Sequence, residues 1–182
     1  MTPVVNYALT RPDVDASRLA LYGFSFGGTL APRAAAYEKR LSAVIAVEGL
    51  KSLLAALQAQ LPAWLTELYE ANRTAAFDAS MVAIAANLTL PTSIRWVIDQ
   101  GLFAFNTRSA TQWWNELASI VVNHDIVSKL TDLPVFVGKA ENDFQSLNQP
   151  DLAYQLLSAG RPNGEALTTF HDFKTALGAG EH

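Results

Sequence analysis

The segment Gly23-Phe24-Ser25-Phe26-Gly27-Gly28 follows directly on the apolar run Leu19-Ala20-Leu21-Tyr22, and this junction restricts the fold more than any other stretch of the chain. A short apolar run bounded by turn residues reads as a buried strand. Small residues two positions before and two after Ser25 allow the backbone to reverse sharply and enter a helix at once, leaving the serine at the apex. From Gly27 to Tyr37 the sequence is alanine-rich and reads as a helix, and Leu41 to Val47 is a second apolar strand. Strand, sharp turn, helix and strand in that order make a βαβ unit, which implies a parallel sheet and the α/β class. The polar, turn-forming stretch Pro12 to Arg18 separates the first strand from what precedes it.

A serine at such an apex is lifted out of the sheet, and the helix N-terminus behind it favours developing negative charge. Alone it is a poor nucleophile; it needs a base within reach, itself held by a third group. The chain has three histidines. His124 lies in a helical or loop stretch away from the strand ends, and His171 lies inside Leu167 to Phe173, which reads as a strand. His182 closes the chain after Gly178-Ala179-Gly180-Glu181, a glycine-rich loop behind that strand. A ring on such a loop can reach the carboxyl edge of the sheet, so His182 is the candidate base. Leu133 to Gly138 reads as another buried strand, and Lys139-Ala140-Glu141-Asn142-Asp143 after it offers two acids, Glu141 and Asp143. Periodicity does not choose between them. The order serine, acid, histidine suits this chemistry on a parallel sheet.

Val14 to Gly28 resembles the nucleophile region of the α/β-hydrolase superfamily. More narrowly, the chain is similar to the branch that holds dipeptidyl-peptidase-like and FrsA-like esterases and carbon–carbon bond hydrolases acting on β-diketone or polyketide-like substrates. Pro134-Val135-Phe136-Val137, Ala140-Glu141-Asn142-Asp143-Phe144, Phe173 and Gly178-Ala179-Gly180-Glu181-His182 carry the likeness in the tail. The resemblance assigns the triad acid to Asp143 and agrees with His182 as base. It implies a partial α/β-hydrolase fold with about four strands of parallel sheet, the N-terminal strands missing, and a helical lid insertion. It also implies an oxyanion hole in which the Phe26 amide is one donor, and the chain is expected to be a C-terminal portion whose isolated activity is weakened or lost.

Residues 1–49 are accordingly expected to form the serine-bearing part of the core, 50–129 a helical cap, and 130–182 the part with the acid and histidine loops. The middle lacks strand signals and reads as helices over Leu50–Gln60, Pro62–Asp78, Ala79–Leu88, Pro91–Phe103 and Thr111–Val127. Its aromatics, Trp64, Tyr69, Trp96, Phe103, Phe105, Trp113 and Trp114, either line a pocket or pack the cap. Phe24, beside the serine, is the candidate wall of a substrate site.

A net charge of −4 with 16% charged residues leaves no nucleic-acid footprint. The chain has no cysteine, which removes disulfides, thiolate catalysis and Cys-based metal sites. The three histidines have no metal-binding spacing. No apolar stretch reaches the roughly 18–20 residues that cross a bilayer, and no leader is read at the start, so the expectation is a cytoplasmic protein with a small-molecule substrate. Neither metal nor organic cofactor is expected. The chemistry expected is acyl transfer from an ester or amide to water, with carbon–carbon bond hydrolysis and an inert fragment as the alternatives.

Overall fold

The computed structural model describes residues 1–143 and 145–175. Helix α1 (Thr2–Ala8) leads through a 3-10 turn (Ala16–Arg18) into β1 (Ala20–Phe24), α2 (Phe26–Ala35) and β2 (Ala43–Val47). Six helices follow: α3 (Leu53–Gln60), α4 (Ala63–Glu70), α5 (Thr74–Ala86), α6 (Thr92–Ala104), α7 (Ala110–Ser119) and α8 (His124–Ser128). The described chain ends with β3 (Val135–Ala140), α9 (Gln149–Ala159), α10 (Gly164–Leu167) and β4 (Thr168–Phe173). The four strands form one sheet in the order β1-β2-β3-β4, and each neighbouring pair is parallel. The α/β class and the parallel sheet expected from the βαβ reading are therefore present.

Register decides which face carries the core. The rows Leu21, Val44, Val135 and Thr168, and Gly23, Ala46, Val137 and Phe170, lie on one face. Ala31 and Ala35 of α2, Ile126 and Val127 of α8 and Leu157 of α9 cover it. Full burial of each valine or leucine there contributes about 1.5–3 kcal/mol. The alternate rows, Tyr22, Ile45, Phe136 and Thr169, then Phe24, Val47, Gly138 and His171, lie on the opposite face. Tyr22 is 60% and Phe24 48% exposed there, although a parallel sheet is normally covered on both sides.

By contacts the chain divides into two compact units, Met1–Ala56 with Ile120–His182, and Leu57–Ser119. In the first, the chain leaves and returns through a neck: Ser52 pairs antiparallel with Val121, and the Val122 amide donates to the Lys51 carbonyl at 2.9 Å. Buried Arg161 ties α9 to the strands. Its guanidinium donates to the carbonyls of Leu157, Leu130, Leu133 and Leu167 and to the Thr168 hydroxyl. In the second unit Phe77 and Trp114 pack edge to face at 4.7 Å, with Tyr69 against both. Gly101 is required there, because a Cβ would lie 2.2 Å from the Trp113 ring. Asp78 of α5 caps α7 by accepting from the Thr111 amide at 2.7 Å.

Several boundaries differ from the sequence reading, among them the break expected between Asp78 and Ala79, which α5 (Thr74–Ala86) runs through. The helix expected over Pro62–Asp78 breaks at Asn72, whose φ of 54° is left-handed backbone that asparagine tolerates. The helix expected over Thr111–Val127 is interrupted where Val121 joins the neck, and Asn123 caps α8 through the Ile126 amide. Lys139 and Ala140, read as loop, extend β3 because β4 pairs with both. Tertiary pairing overrides local pattern at the neck and at the end of β3.

Candidate active site

Gly23 ends the straight part of β1 beneath the helix that follows. A Cβ there would lie 2.1 Å from the Gly27 carbonyl oxygen and 2.9 Å from the Ala31 Cβ. Ser25 then takes φ 54°, ψ −123°, a backbone state that side chains rarely adopt, and α2 starts at the next residue. The Ser25 amide donates to the Val47 carbonyl at 2.9 Å, and the Gly28 amide donates to the Ser25 carbonyl at 2.8 Å. Phe26 supplies the first amide of α2, one of the helix-start donors that have no partner four residues back. The sharp turn with serine at its apex thus has the geometry that the sequence suggested. One detail is corrected: the glycine that packing demands behind the serine is Gly28, where a Cβ would lie 2.6 Å from the Gly49 Cα. At Gly27 a Cβ would meet nothing within 4 Å.

Residues just beyond the carboxyl ends of the strands share one pattern. The Ser25 amide donates to Val47, the Glu48 amide to Gly138 and the Glu141 amide to Phe173, so the parallel ladder runs one residue past β1, β2 and β3. Glu48, the residue after β2, is 2% exposed and has a φ of 52°. Its Oε1 accepts the Ala140 amide, and its Oε2 accepts the Ser146 hydroxyl at 2.9 Å. Its side chain also shares a hydrogen bond with Asp143, which is 8% exposed. Burial first, and the bond to Asp143 second, push the Glu48 carboxyl up from the ordinary 4.5 to about 7. Asp143 accepts the Gln145 amide at 2.8 Å and the Ser146 amide at 3.2 Å.

The two acids that periodicity left open therefore differ in environment. Glu141 is exposed, pairs with Lys174 at 3.2 Å and accepts the Thr175 amide, which hold its carboxyl below the usual range. Asp143 is buried beside Glu48. His171 is exposed on β4 with its ring 4.5 Å from that of Phe173, and His124 begins α8. His182 lies outside the described residues. Phe24 ends β1 on the exposed sheet face. Among the middle-segment aromatics, Trp113 and Trp114 are core residues, whereas Trp96 and Phe103 are exposed. Sequence reasoning missed Glu48; an acid immediately after an uninterrupted apolar strand, and just before Gly49, is the signal that marks it.

The chain matches no protein-family model and none of the curated proteins. Solved structures are similar in fold. The α/β hydrolase GrgF from Penicillium sp. sh18 superposes with a TM-score of 0.56 at 18% identity, over 95% of this chain and 60% of that one. A hypothetical protein from Pseudomonas aeruginosa gives 0.55 at 12% identity, over 95% of this chain and 58% of its own. The fold is thus that of the α/β hydrolases, and the chain spans about three-fifths of the length of these neighbours. No helix among the described residues is long and apolar enough to cross a membrane.

Proposed function

We propose that this chain carries the reactive centre of a serine hydrolase that transfers an acyl group from an ester or amide to water. The observation that carries the reading is the strained backbone of Ser25 at the strand-to-helix turn. Such strain persists only where surrounding structure enforces it, and it clusters at functional sites. In this reading Ser25 Oγ attacks the substrate carbonyl while His182 takes its proton. Asp143 orients the imidazole and stabilises its charged form. The Phe26 amide donates to the oxyanion, and His182 then returns the proton to the leaving group. Water, activated by the same histidine, hydrolyses the acyl-enzyme. The buried setting of Asp143 supports it over Glu141, which is already engaged by Lys174. In the same reading residues 50–129 would act as a helical cap, and Phe24 as a wall of the substrate site.

Fluorophosphonate labelling of the purified chain, with the adduct located by mass spectrometry, tests the reading. A stable adduct on Ser25, absent from Ser25→Ala, is the expected result. A folded, soluble chain that forms no adduct overturns the assignment of activity to this chain alone. A panel of p-nitrophenyl esters set against a β-diketone then separates acyl transfer from carbon–carbon cleavage, which the same triad can serve.

A further inference from the structure

We propose that Glu48 is a positioning residue for Asp143: it holds the single proton of a buried carboxyl pair and donates it, as an O–H hydrogen bond, to the Asp143 carboxylate. The inference rests on the reading of Asp143 as the acid of the hydrolase.

Four observations converge on it. Glu48 is 2% exposed, so its carboxyl has no bulk water to solvate a charge. Its partners among the described residues are the Ala140 amide, the Ser146 hydroxyl and Asp143; none is a cation. Two adjacent carboxylates cannot both stay ionised in such a place, so one keeps a proton. Donor bookkeeping says which. Asp143 already accepts two backbone amides, from Gln145 and Ser146, which favour its charged form. Glu48 accepts one amide and one hydroxyl, and its raised proton affinity fits the neutral role. Among the described residues, the groups hydrogen-bonded to Glu48 are Asp143 and Ser146 from the loop after β3 and the Ala140 amide at the end of β3.

The backbone points the same way. Glu48 has a φ of 52°, which a non-glycine residue adopts at a cost, yet glycine does not stand there. The side chain is what the position retains. Ser146 links the pair, its hydroxyl donating to Glu48 while its amide donates to Asp143. The outcome is one fixed orientation for the Asp143 carboxylate, as a residue that orients a histidine requires.

Carboxyl-carbon NMR of the full 182-residue chain tests the pair without reference to activity. The Glu48 carbon is expected to titrate near neutrality, and Asp143→Asn is expected to lower its midpoint by about one pH unit. A Glu48 carbon that titrates in the ordinary glutamate range, or that ignores Asp143→Asn, overturns the proposal. Activity tests the positioning role. Glu48→Leu should lower kcat by about a hundredfold with KM little changed, the scale of a misplaced catalytic group. Glu48→Gln, which still donates, should recover most of that loss. If Glu48→Gln is as impaired as Glu48→Leu, Glu48 works as a carboxylate and the proposal fails. Should Glu48→Leu not fold, the titration and Glu48→Gln still decide. If hydrolysis survives Ser25→Ala, the hydrolase reading falls while the titration still judges the pair.

Discussion

Replacing Ser25 by glycine or by alanine removes the same hydroxyl, but only glycine relieves the backbone cost. At φ 54°, ψ −123° a Cβ is strained, and alanine keeps that strain. Residues in such regions carry about 1–3 kcal/mol each. Glycine releases it but gives back about 0.5–1 kcal/mol through the larger freedom of the unfolded chain. Ser25→Gly should therefore be more stable than Ser25→Ala by about 1 kcal/mol, or about 2–4 °C in Tm for a chain of this size. The probe must report on the sheet. All four tryptophans, Trp64, Trp96, Trp113 and Trp114, lie in the Leu57–Ser119 unit, so their fluorescence follows the wrong part of the molecule. Native-state hydrogen exchange at the amides of β2 and β3, read with increasing urea, follows the right one. If Ser25→Ala proves as stable as Ser25→Gly or more so, the turn stores no strain, and the argument from backbone geometry to function collapses.

Two further predictions concern packing and pH. Gly28→Ala should destabilise by about 1–3 kcal/mol, because its Cβ would meet the Gly49 backbone at 2.6 Å. Gly27→Ala, with nothing within 4 Å, should be neutral or stabilising by up to about 1 kcal/mol as a helical Gly→Ala change. Urea midpoints of the two variants check this; equal losses would count against the assigned contacts. For pH, Glu48 keeps its proton up to about 7, whereas an unfolded glutamate loses it near 4.5. Between those values the folded state binds more protons, so stability falls as pH rises through the window. At about 1.4 kcal/mol per tenfold in proton affinity, the fall attributable to Glu48 is about 3 kcal/mol. Glu48→Gln should flatten it. Unfolding free energies at about pH 5 and about pH 8 decide, and matching slopes in the two proteins would refute the assignment. Glu38 acts in the opposite sense: Arg40 holds its carboxyl down to about 2, so its contribution is present above 4.5 and is lost as pH falls toward 2.

The serine turn was legible because several local signals agree there: an apolar run, glycines at fixed offsets and an alanine-rich helix all point to one backbone path. The parallel sheet followed from the order of elements. Helix breaks were less legible, because the one at Asn72 rests on a single left-handed residue and the Ser52–Val121 neck on a contact distant in sequence. Arg161 and Glu48 could not be read as partners for the same reason. Arg161 satisfies carbonyls 28 to 31 residues away, and Glu48 meets groups 92 to 98 residues away. No periodicity encodes such pairs. The choice between Glu141 and Asp143 was also beyond pattern, since two residues of spacing separate a solvated ion pair from a buried carboxyl pair.

The shared ladder at the strand ends explains how two unfavourable conformations coexist side by side. For Ser25 to relax to negative φ, its amide would have to leave the Val47 carbonyl, and for Glu48 to relax, its amide would have to leave Gly138. One net hydrogen bond of about 1 kcal/mol does not by itself outweigh about 1–3 kcal/mol of strain. The remainder must come from packing and side chains. At Ser25 it comes from the close approach of Gly28 to Gly49, which fixes the start of α2 against the end of β2. At Glu48 it comes from the Ala140 amide, the Ser146 hydroxyl and Asp143. The two supports meet at Glu48-Gly49, because the residue that braces the serine turn directly follows the one that braces the acid. Loosening Gly49 should therefore perturb both halves of the site together, whereas loosening Ser146 should reach the acid alone.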